Sequence, residues 1–276
     1  MEKCGITREA VEKWKLWFDA YTASFIGRDK DLDFAVALKR KHTSMVVGII
    51  TELSEALGLP GEKVLVAQAC ALFHDVGRFP QFARYRTFKD TCTENHALLG
   101  IKVLEKEGVL NSLAPETAGL IRSGVEHHNC LELPEHLSPE ELLVIRLLRD
   151  ADKIDIYRVT SSHYADANGA GGAIIDLGLP INDKVSSSIA EAVAGREPVS
   201  YELCASVNDF KLLQLGWVYD MNFPESFQLL QKKGYIRVLL EALPDDSVVE
   251  KVKTRVMEWI EKKVQGPPTG CYRPIS

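Results

Sequence analysis

Apolar residues recur at helical spacing along almost the whole chain. Trp14, Trp17, Phe18 and Tyr21 fall at i, i+3, i+4 and i+7, which predicts a helix over about residues 8–25 with an aromatic stripe turned to the core. A second helix is expected over about 33–57, stopped by Gly58 and Pro60. A third covers about 62–76 and is apolar on nearly every side from Val64 to Phe73. Residues 79–90 read as a loop with Arg84, Arg86 and Lys89 set among aromatic side chains. Further helices are expected at about 93–107, 115–128 and 139–160. The last of these opens with Ser138-Pro139-Glu140-Glu141, a capping box with proline in the first turn. Gly169, Gly171, Gly172, Gly178 and Pro180 break the pattern over 165–182. Helices then follow at about 184–194, 202–221, 225–242 and 246–264, and Pro267-Pro268 begins a loose tail. No alternating segment of strand length and no internal repeat is visible. The fold class is all-α.

Composition adds few constraints. With 46% hydrophobic and 26% charged residues in 276, the chain is of ordinary globular type and large enough for a packed core. A formal net charge of −6 argues against a nucleic-acid polymer as partner, since that needs a basic face. A small anionic substrate stays compatible, because a bound cation reverses the field locally. Cys4, Cys70, Cys92, Cys130, Cys204 and Cys271 show no close pairing, which fits a reducing compartment. The first residues lack a signal-peptide pattern, and no apolar run nears the roughly 20 residues that span a bilayer. A cytoplasmic protein without a membrane partner is expected, and a homo-oligomer is left open.

The chemistry concentrates in histidines and aspartates. His74 and Asp75 close the apolar third helix, where an imidazole and a carboxylate are costly to bury without a shared partner such as a metal ion. On the second helix, at 100° per residue from Phe34, His42 falls near 80°, in the middle of the apolar face. On the helix from 139, Arg146, Arg149, Asp150, Lys153 and Tyr157 share one polar arc, so Asp150 reads as solvated. Asp152 lies opposite beside Ile145, Leu148 and Val159, and Asp155 also points inward one turn on. His96 shares a stripe with Leu99, Gly100 and Val103. Helix geometry does not choose between His127 and His128. His136 and His163 read as surface residues.

Taken in order, His42, His74-Asp75, His96, His127-His128 and Asp152 resemble the HD superfamily of metal-dependent phosphohydrolases, over about residues 30–160. Ala151-Asp152-Lys153 is similar to the setting in which HD proteins carry their final aspartate. The resemblance implies a minimal metal site of His42, His74, Asp75 and Asp152. It also implies a second metal held with His96 and with His127, His128 or both. Two close metals need an anionic bidentate bridge, a role that falls to Asp75. Arg78, three residues after Asp75 and behind Gly77, is placed to clamp a phosphate. The Gly-Tyr-Pro element of the related HD-GYP family is absent after His127-His128, so cyclic-di-GMP cleavage is not expected. The synthetase motifs of stringent-response enzymes are not apparent either.

The Gly-rich break could separate two domains, but the expected organisation is a multi-helix HD core at residues 1–164 with a C-terminal helical extension at 165–276, together one all-α domain over 1–276. The expected activity is hydrolysis of a phosphoester of a nucleotide or similar small metabolite by a metal-bound hydroxide. Asp75 and Arg78 are the catalytic residues, and Arg78, Arg84, Arg86, Lys89 and Asp155 the substrate contacts. One or two divalent ions are expected, drawn from Mn, Fe, Co, Ni or Zn, with Mg at weaker sites. Two rival readings use the same site: a di-iron oxygenase, and a non-catalytic nucleotide sensor.

Overall fold

The computed structural model describes residues 5–27, 29–165 and 172–266, and every regular element among them is helical. The chain divides into two compact units, one running to Asp155 and the other starting at Ile156. The first holds α1 (Arg8–Ala23), α2 (Lys30–Ala56), α3 (Gly61–Phe73), α4 (Arg78–Tyr85), α5 (His96–Lys106), α6 (Pro115–His127) and the start of α7 (Pro139–Ala165). The second holds the end of α7, α8 (Gly172–Ile175), α9 (Ser187–Gly195), α10 (Val207–Gly216), α11 (Pro224–Lys233), α12 (Tyr235–Glu241) and α13 (Ser247–Val264). Among the described residues no helix is long and apolar enough to cross a membrane.

In the first unit α3 is the centre. It packs against α1, α2 and α6, and its residues from Ala69 to Phe73 are all buried. The aromatic stripe of α1 closes over it, with Trp14 and Trp17 each meeting the Phe73 ring edge-on at centroid distances of 5.5 and 5.9 Å. Gly124 lets α6 come close, since a Cβ there would stand 2.7 Å from Cys70 Sγ. The predicted capping box is present: Glu141 Oε2 accepts from the Ser138 N–H, and Ser138 Oγ accepts from the Glu141 N–H.

Three expectations are corrected. The segment 79–90 is not simply a loop, because residues 78–85 form α4. Phe79 and Phe82, at i and i+3, are buried, and Phe79 meets Phe18 of α1 at 5.7 Å. Pro80 sits in the first turn, where a missing N–H costs nothing. A two-turn helix is too short to declare itself by periodicity. Residues 225–242 are two helices, because Gly234 adopts φ +72° and ends α11. Residues 202–221 likewise divide into a short 3-10 turn, α10 and a second 3-10 turn. Gly169, Gly171, the Pro267-Pro268 tail, Cys4 and Cys271 lie outside the described residues, and Cys70, Cys92, Cys130 and Cys204 are free.

Candidate metal centre

Five separate stretches of the first unit converge. His42 comes from α2, His74 and Asp75 from the turn ending α3, His96 from the start of α5, His128 from the end of α6, and Asp152 from α7. They form two groups, His42–His74–Asp152 and Asp75–His96–His128, in each of which the ligand atoms lie within 4.8 Å of one another. His42 Nε2 stands 3.3 Å from His74 Nε2 and 3.0 Å from Asp152 Oδ1. His96 Nε2 stands 3.0 Å from His128 Nε2. Asp75 spans the two groups. Its Oδ2 faces His42 and His74 at 3.5 and 3.4 Å, and its Oδ1 faces His96 at 3.5 Å.

The hydrogen bonds behind the histidines decide what these nitrogens can do. His42 Nδ1 donates to Asp155 Oδ2 at 2.7 Å, and His96 Nδ1 to Asp90 Oδ2 at 2.6 Å. His74 and His128 donate Nδ1–H to the carbonyls of Ala71 and Val125, at 2.8 and 2.7 Å. Ionised carboxylates and carbonyls only accept, so each ring carries a proton on Nδ1 and, in its neutral form, turns an Nε2 lone pair inward. Four such lone pairs and two carboxylates crowded into a buried space repel one another unless cations lie between them. The donor set of imidazole nitrogen and carboxylate oxygen suits a divalent ion in each group.

Charge within the site follows the same logic. Burial, then the neighbouring His96 and His74, hold His128 down to about 3, so it is neutral. Burial and Arg78 also lower His96. Burial works to depress His42, but Asp152 and Asp155 outweigh it and raise the group. Burial would raise Asp75, yet Lys39 above all, with His74 and Arg78, keeps it well below the usual carboxylate range. Asp90 is half-buried, which would raise it, but it is held low by the hydrogen bond with His96 and by Arg78.

The predicted site residues do not all gather here. His127 stays outside both groups and gives Nδ1–H to the Ser123 carbonyl at 3.0 Å. Asp155, expected to touch substrate, is fully buried and engaged with His42. Asp150, read as solvated, is also fully buried. α7 is covered on part of its polar side as well as on its apolar one, so a polar arc on the helical wheel is not an exposed arc. Tyr157 and Arg149 of that arc are buried as well, and Arg149 caps the carbonyls of His128 and Cys130. Asp152 is the more open carboxylate, with 19% of its side chain exposed. His136 is exposed as expected. His163 is not a free surface residue: it pairs with the buried Asp176 at 3.0 Å.

Arg78 is anchored at one end, where Nη1 donates to Asp90 Oδ1, Gln81 Oε1 and the Phe88 carbonyl. Its buried Nε has no hydrogen-bond partner and lies 3.5 Å from Asp75 Oδ1. Arg84 pairs with Glu94 and Arg86 with Asp29, both at the surface, instead of with either ligand group. The Lys89 carbonyl accepts from the Thr93 hydroxyl. Sequence reasoning missed Asp90, which ties His96, Arg78 and Gln81 together, and Lys39, whose Nζ lies 2.6 Å from Asp75 Oδ2. Lys39 precedes His42 by three residues and shares its side of α2, a signal available from helix geometry. Asp90, at the start of a single 3-10 turn, offered none.

No curated protein and no solved structure matches the chain significantly. The family model of the HD domain matches residues 40–157, the span that contains every member of both ligand groups. Residues 40–157 of the chain are thus similar to the HD domain, and the two ligand groups lie within that similarity.

Proposed function

We propose that this chain hydrolyses a phosphoester of a nucleotide or similar small phosphorylated metabolite, using two divalent cations held by His42, His74 and Asp152 and by His96 and His128, with Asp75 shared. The observation that carries the reading is the two-faced placement of Asp75, one oxygen toward each group. Divalent cations bound there would supply Lewis-acid charge to the phosphoryl oxygens and an acidified water as nucleophile.

The protein's own part is to hold charge and exclude alternatives. Asp155 and Asp90 keep His42 and His96 in the Nε2-accepting tautomer, which fixes where ligand lone pairs point. The anchored Nη1 of Arg78 sets its guanidinium against Asp75, so a phosphate would be met by the Nε edge. Charge that develops on equatorial phosphoryl oxygens would be offset there without side-chain reorganisation. Arg84, Arg86 and Lys89 remain proposed outer contacts for the rest of a substrate.

The test is metal analysis of freshly purified protein, followed by a panel of nucleotides and simple phosphoesters with the metal found. Release of phosphate by metallated but not by stripped protein is expected. Iron-dependent oxygen uptake without phosphate release would replace the reading with the oxygenase. Tight nucleotide binding without turnover under several metals would replace it with the sensor.

A further inference from the structure

We propose that Lys39 is a resident counter-ion of Asp75 which a divalent cation displaces, and that the freed ammonium then meets the phosphate of the substrate beside Arg78. The second half rests on the hydrolase reading above, and the first half does not.

Lys39 Nζ stands 2.6 Å from Asp75 Oδ2, the oxygen that faces His42 and His74. An oxygen bonded to an ammonium at that distance does not offer the same lone pair to a cation held by those histidines. The ammonium and the cation also repel across the same few ångströms. Lys39 is built to move: it sits at the rim with 17% of its side chain exposed, on a flexible four-carbon stem. Its resting place is already marked. Nζ lies 5.3 Å from the centroid of the Phe88 ring, and Arg78 Cζ lies 5.7 Å from the same ring. Swung away from Asp75 but still beside Phe88, Lys39 forms with Arg78 a pair of cations flanking one aromatic face. Such a pair suits a phosphate monoester, whose charge a single guanidinium edge leaves partly uncompensated.

A merely structural ion pair predicts the opposite response to metal, so the two are separable. Metal-stripped wild type and Lys39→Met are titrated calorimetrically with Mn²⁺ and melted in chelator and in saturating Mn²⁺. Lys39→Gln is the second variant should the first fail to fold. The expected result is Mn²⁺ binding about 10-fold or more tighter in the variant, because a competing and repelling charge is gone. The variant should melt below wild type in chelator, and the deficit should close in saturating Mn²⁺. Unchanged or weaker Mn²⁺ binding, a deficit that persists with Mn²⁺, or no Mn²⁺ binding by either protein overturns the proposal. Para-nitrophenyl phosphate then tests the second half: the variant's KM should rise by about 10-fold with Mn²⁺ bound. Hydrolysis with an unchanged KM overturns the substrate role of Lys39. Tighter Mn²⁺ binding with no hydrolysis by wild type leaves the counter-ion standing and removes the hydrolase reading.

Discussion

Gly77 offers a perturbation that should disable half of the centre while touching no ligand. Its backbone is unremarkable, with φ −71°, so torsional strain is not the issue. Space is. A Cβ at this position would stand 2.1 Å from the His96 carbonyl oxygen and 2.6 Å from the Gly100 nitrogen. Both are main-chain atoms of α5 and have no rotamer to escape into. To restore 3.0 Å, the first turn of α5 must retreat by about 0.9 Å, or the turn after Asp75 must. Ligand distances in a metal site hold to about 0.2 Å, so a shift of that size removes His96 from its group. His42, His74 and Asp152 do not ride on α5 and should keep theirs.

Gly77→Ala is therefore expected to lower the Mn²⁺ stoichiometry from two to one, and to cost about 1–3 kcal/mol of stability through overpacking. Metal analysis after dialysis reads the first effect and chemical denaturation of the stripped protein the second. Gly119→Ala is the control. Nothing lies within 4 Å of a Cβ there, so the variant should bind metal as wild type does. It should also be stabilised by up to about 1 kcal/mol, the gain of alanine over glycine in a helix. Wild-type stoichiometry together with wild-type stability in Gly77→Ala would refute the argument that this contact sets the position of His96.

Three further outcomes separate residues that look alike in sequence. Asp152→Asn should weaken Mn²⁺ binding by about 10-fold or more, whereas Asp150→Asn, fully buried and outside both groups, should change stability and leave metal affinity near wild type; calorimetric titration and denaturant melts check both. Asp155→Ala should weaken the first site by about 10- to 100-fold without removing a ligand, since it frees His42 to turn or change tautomer; an unchanged affinity would show that α2 alone aims that ring. His127→Ala should leave metal content at the wild-type value, and a loss of one equivalent on analysis would place this residue in the centre after all.

Part of the candidate site was legible because some of its residues sit where a helix turns inward, and such positions announce themselves against an apolar background; His96 and His127-His128 were named by the family resemblance. His42 on the apolar face of α2 and the His74-Asp75 pair at the end of α3 are of this kind. The capping box at Ser138 was legible for a similar reason, being a local pattern with a local cause. What escaped depends on which surfaces are covered. The wheel of α7 separates Asp150 from Asp152 by direction, but whether a direction is wet depends on what packs there, and Asp150 is fully buried. α4 escaped because two turns are too few for a period, and Asp90 because it opens a single 3-10 turn, shorter still. The pairing of His163 with Asp176 joins residues that local spacing does not connect.

The four histidines show how far local and distant structure share the work of aiming a ligand. His74 and His128 each lean on a carbonyl three residues back in their own helical turn, Ala71 and Val125. Their orientation is set as soon as α3 and α6 end where they do. His42 and His96 lean on carboxylates from elsewhere, 113 residues away for Asp155 and six for Asp90. Each group thus combines one ring aimed by its own helix with one aimed by a carboxylate outside its helix: His74 with His42, and His128 with His96. A cation binding to either group must find that carboxylate already in place. Metal affinity in this arrangement reports on the packing of α2 against α7, and of α5 against the turn at Gly77, as much as on the ligands themselves.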